Sequence, residues 1–155
     1  MIVDNNLLVS GSISGNTVTG QTVTGTNTSV LSTNTIDLLQ ARDMGEGENL
    51  SVRAEVVTAV AGATSIEVQA IQADDAGLTT NVTVVGTTGA IPLASLTAGA
   101  RFVADLNPRL GSKGQRYLGV RYVIVGAGSA GAFVADFGIE TQDGQKFYPA
   151  GFAVL

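Results

Sequence analysis

Leu50-Ser51-Val52-Arg53-Ala54-Glu55-Val56 alternates apolar and polar side chains without a break. A period of two belongs to a strand that buries one face and wets the other. The pattern returns at 64–72, with Ile66, Val68 and Ala70 expected inside and Ser65, Glu67 and Gln69 outside. Ala61-Gly62-Ala63 separates the two runs, so they are expected to form a hairpin that turns at Gly62. Working outward, residues 36–39, 81–85, 101–106 and 116–125 read as further strands, the last with Leu118, Val120, Tyr122 and Ile124 on one face. Phe133, Ala135, Phe137 and Ile139 continue the same period. Asp74-Asp75-Ala76-Gly77, Asn107-Pro108 and Gln142-Asp143-Gly144-Gln145 supply turns. Residues 91–99 suit either a strand edge or a short helical turn. No segment keeps a helical period over three turns. About eight short strands with turns every 8–12 residues predict an all-β chain, a jelly-roll-like antiparallel β sandwich.

Composition narrows the chemistry. The 155 residues contain no His, Cys or Trp, which removes Ser-His-Asp and Cys-His triads and zinc sites. Carboxylate, hydroxyl, Lys and Tyr chemistry remains. The net charge of −5 gives no basic footprint for a nucleic acid. Arg109, Lys113, Arg116 and Arg121 are the nearest approach to a basic patch, and a solvated strand and loop face accounts for them. The longest uncharged apolar stretch, 122–135, is shorter than the ~20 residues of a membrane helix and is broken by glycines. The start, Met1-Ile2-Val3-Asp4, lacks the basic region of a signal peptide. A soluble protein that works by contact is the expectation, with no cofactor and no membrane partner.

The N-terminal part divides into an apolar start and a biased tract. Ile2, Leu7, Leu8 and Val9 want burial, in this subunit or in a neighbour. From Ser10 to Thr35 the chain is mostly Ser, Thr, Gly and Asn, without charge, and it carries TVTG at 17–20 and again at 22–25. Two short copies do not make a solenoid. Thr and Val in alternation suit extended chain with hairpin arms, while the composition suits a flexible linker equally. Residues 1–31 are therefore expected to be an N-terminal arm and extension, and residues 32–155 the β-sandwich domain.

Three motifs suggest chemistry and are better explained without it. Gly126, Gly128 and Gly131 fit G-x-G-x-x-G after an apolar strand. A dinucleotide site needs a helix next, and Phe133, Ala135 and Phe137 alternate as a strand instead. A glycine-rich hairpin joining two strands is the simpler expectation. The acids Asp43, Glu46 and Glu48, and separately Asp74 and Asp75, lack the spacing of a calcium loop. Paired carboxylates for glycoside hydrolysis would want sugar-stacking aromatics, and aromatics make up only 5% of the chain. Tyr117 and Tyr122 fall on opposite faces of one strand, so one is expected in the core. Tyr148 and Phe152 stand in the C-terminal tail, where aromatics either dock on their own domain or anchor an interface.

A set of short motifs occurs in a particular order. Met1-Ile2-x-Asp4 with Leu7-Leu8 is followed by Ser32-Thr33-Asn34-Thr35-Ile36-Asp37-Leu38 and by Ala41-Arg42-Asp43-x-Gly45-x-Gly47-x-x-Leu50. Then come Gly62-x-Thr64-Ser65, Gln72-x-Asp74-Asp75, Leu96-x-Ala98-Gly99-x-Arg101-Phe102 and Arg116-Tyr117-Leu118, and Tyr148-Pro149-Ala150-Gly151-Phe152 closes the series. In this order and spacing they resemble the capsid cement, or decoration, proteins of short-tailed double-stranded DNA bacteriophages, the kind first seen in a Bordetella phage. The resemblance covers the chain apart from residues 10–31. It implies a jelly-roll-like sandwich without enzymatic activity, assembled as small oligomers on the exterior of the virion head. The implied partners are the phage major capsid protein and the chain itself, a dimer before a trimer, with no direct contact to nucleic acid. Synthesis would be in the bacterial host cytoplasm. The competing expectation is a jelly-roll module that recognises a host glycan or receptor.

On this reading residues 1–31 and 147–155 bridge neighbouring subunits by adding to sheet edges, and removing 1–31 should leave a folded domain. Ile2, Leu7, Leu8, Val18, Val23, Tyr148 and Phe152 are the expected contact residues.

Overall fold

A computed structural model describes residues 6–15, 17–39, 50–106 and 115–139. Ten strands occupy most of them: β1 (Leu8–Ser10), β2 (Ser12–Ser14), β3 (Thr17–Thr19), β4 (Gln21–Thr22), β5 (Gly25–Leu31), β6 (Ile36–Asp37), β7 (Leu50–Ala73), β8 (Thr83–Pro92), β9 (Arg101–Asp105) and β10 (Tyr117–Ile139). A 3-10 turn at Leu93–Ser95 follows β8. Every pairing is antiparallel. The expected all-β sandwich is what the chain forms.

Two long strands make both layers. β7 runs through 24 residues and β10 through 23, and they pair with each other along nearly their whole length, from Tyr117↔Ala73 to Ile139↔Leu50. The hairpin expected at Gly62 and the second hairpin expected at Gly126–Gly131 are both absent from these strands. Each is a bend inside one continuous strand. Register shifts between Val125 and Phe133 mark the bend: β10 holds the extra residues between Gly126 and Ala130, and β7 holds them at the shifts on either side. Such bulges sharpen twist and turn a strand without ending it. Gly62 has φ +79°, and a side chain there would collide with the Ala127 carbonyl oxygen. Gly126 has φ +90°, and a side chain there would stand 2.8 Å from the Thr64 amide nitrogen. Turn composition is legible in sequence, but a glycine that bends a strand and one that ends it look alike.

Bending folds the paired ribbon onto itself. Residues 50–60 and 130–139 form one layer with β1, β4 and β9, and residues 63–73 and 117–126 form the other with β5, β6 and β8. The apolar sets read from the sequence face each other across the gap: Val52, Ala54, Val56, Phe133, Ala135 and Phe137 against Ile66, Val68, Ala70, Val120, Tyr122 and Ile124, all at most 1% exposed. A smaller cluster of Ile71, Ala73 and Leu78 packs with Tyr117 at one end.

The sandwich is also tied along its sides. The Asn34 amide donates to the Val9 carbonyl at 2.9 Å, which links the two layers at β1. On the opposite side β8 and β9 approach so closely that a side chain at Gly86 would stand 2.6 Å from the Asp105 carbonyl oxygen. Tied sides leave less unpaired strand edge to recruit the wrong partner.

The N-terminal tract is extended chain laid along β10 rather than a free arm. β1, β4 and β5 all pair with β10, and β5 carries the register on to Arg121↔Leu31. Leu8, Val9 and Val23 lie in the buried core. The expected division at residue 31 therefore has no counterpart in the core, and deleting residues 1–31 would remove core side chains and five strands, three of them in the main sheet. The polar tract conceals this because its buried apolar residues are few and widely spaced.

Candidate interaction surface

One part of the N-terminal tract stands outside the main sheet. β2 and β3 form a two-stranded hairpin of their own, with Ile13 opposite Val18. It lies over the outer face of the layer built by 50–60 and 130–139. At its base a side chain on Gly20 would meet Val57 Cβ at 3.1 Å, so the backbone lies directly on that face. Ile13 and Val18 on the hairpin and Val57 and Val134 on the sheet line a cleft of about 440 Å³.

Two ion pairs border the cleft. Arg53 and Asp136 are direct cross-strand partners, with Arg53 Nε 3.5 Å from Asp136 Oδ1, and Arg53 is buried. Glu55 and Arg101 are cross-strand partners on the next row, where Arg101 Nε donates to Glu55 Oε2 at 3.0 Å. Directly opposed charges of unlike sign favour the register. The four charges sum to zero, so the cleft is apolar at its floor and electrostatically neutral at its rim. The sequence placed Arg53 and Glu55 on a wet face. The available signal was their opposite charges two residues apart on one strand, but the matching charges on two other strands depend on register.

The expected contact residues separate sharply. Val18 is 48% exposed and lies at the cleft. Leu8 and Val23 are core residues at 4% and 0% exposure, a correction to their expected surface role. Leu7 is half-buried, and its carbonyl accepts from the Phe137 amide at 3.1 Å. Ile2, Tyr148 and Phe152 lie outside the described residues, as do Arg109, Lys113 and the acids Asp43, Glu46 and Glu48.

The second layer presents a polar outer face. Arg121 Nε donates to Gln69 Oε1 at 2.8 Å, Gln69 Nε2 donates to Glu67 Oε1 at 2.8 Å, and the Thr87 hydroxyl donates to the same oxygen at 2.6 Å. The Thr87 hydroxyl and then the Gln69 amide hold the Glu67 carboxyl below the usual carboxylate range. Arg116 grips Asp37 with two hydrogen bonds of 2.6 and 2.7 Å and depresses its pKa. Both described members of the basic patch thus have partners on the sheet. Asp75 builds its turn: its carboxylate accepts from the amides of Thr80 at 2.6 Å and Thr79 at 2.9 Å, which lowers its pKa to about 2. Asp74 accepts from Asn81 Nδ2 at 2.5 Å.

A comparison with curated proteins returned no match. A comparison with protein families matched the Bbp16 family over residues 17–137, from β3 to the last turn of register in β10. That span contains both bent strands, their bulges and the ion-paired cleft wall, and on it the chain belongs to the Bbp16 family, whose name points to a Bordetella phage protein.

Proposed function

We propose that this protein is a structural component of the phage virion, a cement protein that sits on the exterior of the head, contacts the major capsid protein and stabilises the shell. The observation that carries this reading is membership of the Bbp16 family across 17–137, joined to the ordered motifs that resemble cement proteins. The architecture supports it. A sandwich made from two continuous, doubly paired strands resists shear between its layers, because separating them would require unbending both strands. On this reading the chain acts by contact and catalyses no reaction.

The β2–β3 hairpin is the element best placed to reach a partner. It carries Val18 exposed and is not hydrogen-bonded into the main sheet. Many copies on a closed shell gain by avidity, so one modest hairpin contact per copy suffices. Copies associate with one another as dimers in the same assembly. The test replaces residues 12–19 by a short Gly-Ser link, which spares Leu8, Val9 and Val23, and measures occupancy on purified heads by gel densitometry. Occupancy is expected to fall at least about tenfold, equivalent to ~1.4 kcal/mol per site. Equal occupancy would remove the hairpin's role, and attachment to host cells in place of heads would favour the receptor-binding module.

A further inference from the structure

We propose that the cleft between the β2–β3 hairpin and the sheet accepts an extended, uncharged segment of the major capsid protein, added as a third strand to the hairpin. The inference rests on the capsid reading and deepens it by naming the chemistry of the contacting segment.

The face around the cleft selects against charge. Val103 on β9 is the direct cross-strand partner of Arg53, and such partners share a face, so Val103 stands on the same outer face as the cleft. It is 51% exposed, much as Val18 is on the hairpin. Between these two valines in the free protein the charges are matched in pairs, Arg53 with Asp136 and Glu55 with Arg101. A charged side chain laid there would lose water and find no counter-charge. A small aliphatic one meets Ile13, Val57 and Val134, and docking covers Val18 and Val103.

The hairpin selects an extended occupant. Among the described residues neither β2 nor β3 pairs with another strand, so the outer edges of the hairpin keep backbone donors and acceptors. Residues 12–19 contain no charged residue and no proline, the usual guards of an edge. A strand added there bonds through its main chain and directs alternate side chains toward the cleft. The cleft volume of about 440 Å³ falls in the ~300–1,000 Å³ range of enclosed sites, with room for a few side chains.

A second copy of this chain is a poorer occupant. The uncharged apolar runs of the described residues, 56–66, 83–92 and 122–135, are already strands of the sandwich within β7, β8 and β10. The strand must come from a different chain, which on the capsid reading is the major capsid protein.

The test adds the full chain to purified heads that lack it and reads occupancy by gel densitometry. Val103→Asp puts a charge on this face without touching the hairpin, and Val125→Asp puts one at a position 47% exposed on the other layer. Occupancy is expected to fall at least about tenfold for Val103→Asp and to stay within about twofold for Val125→Asp. Wild-type occupancy is expected to change less than about twofold between about 0.1 and 1 M salt, because no ion pair holds the contact. The chain has no cysteine, so Val18→Cys labelled with a benzophenone maleimide gives a second readout. Irradiated on heads, it is expected to join a capsid-protein peptide with no charged side chain over about five residues. Equal occupancy of the two Asp variants, occupancy lost in salt, or a cross-link to a second copy or to a charged peptide overturns the proposal and leaves the capsid reading standing. Wild-type protein that fails to bind heads overturns both. Should Val103→Asp fail to fold, the salt series and the cross-link decide.

Discussion

Tyr122 and Phe133 belong to the same strand, eleven residues apart, yet their rings meet with centroids 5.0 Å apart and planes inclined at 40°. A straight strand would hold them about 36 Å apart. The contact exists because β10 and its partner β7 both bend, and it pins the two layers together at the centre of the core.

The ring contact should dominate stability. Phe133→Ala is expected to cost about 3–5 kcal/mol in urea unfolding, the usual range for a deleted core aromatic. Tyr122→Phe is expected to change stability by less than about 1 kcal/mol near neutral pH. The Tyr122 hydroxyl is fully buried beside the Ser10 hydroxyl, and neither makes a close hydrogen bond. Burial raises the Tyr122 pKa above its ordinary 10. The folded state thus keeps this proton at pH values where the unfolded chain releases it, so stability is full below pH 10 and declines as pH rises above it. Tyr122→Phe should flatten that alkaline decline in melting temperature; an identical decline in both proteins would contradict it.

The bend itself is testable at one atom. Gly62→Ala places a carbon against the Ala127 carbonyl at a positive φ and is expected to cost at least about 2 kcal/mol. Gly138→Ala is the control, since nothing lies within 4 Å of the added carbon, and it should cost less than about 1 kcal/mol. Equal midpoints for the two variants in denaturant would mean that β7 is not bent at Gly62.

Gln72 is a buried amide at the core end of β7, 0% exposed, with neither amide atom partnered among the described residues. An unmatched amide in an apolar setting costs free energy. Gln72→Met keeps the length and removes the polar atoms, and it is expected to raise stability by about 1–2 kcal/mol. A loss of similar size would show that an internal water serves the amide.

Asp75 sets the acid behaviour of its turn. Its pKa lies at about 2, below the ordinary 3.8, chiefly because the Thr80 and Thr79 amides donate to the carboxylate. A depressed carboxylate contributes stability above its unfolded pKa and loses it as pH falls through the folded value. NMR titration of the Asp75 carboxyl should give a midpoint near 2, with exchange at Thr79 and Thr80 quickening below pH 4. A midpoint near 4 would contradict the hydrogen bonds.

Most of the core was legible because burial in a sheet follows period two. Val52, Ala54 and Val56, then Ile66, Val68 and Ala70, then Leu118, Val120, Tyr122 and Ile124 all point inward as their alternation requires. What escaped was continuity. Gly62 and the glycines at 126–131 signal a change of direction, but whether the chain reverses or bends depends on pairing across β7 and β10, which no local window contains. The same limit hid Leu8 and Val23, whose burial depends on β10 lying beside them. Of the cleft, Val18 was visible as an isolated apolar residue in a polar tract. The ion-paired border was not, because Arg53, Asp136, Glu55 and Arg101 come together only through a register shared by three strands.

The central claim is attachment to the outside of the head, and cryogenic electron microscopy of heads purified with and without this protein tests it most directly. The account predicts discrete added density on the outer surface at joints between capsid subunits, fitted by the sandwich with the β2–β3 hairpin toward the shell. Identical head maps, or density confined to the tail or the interior, would contradict it.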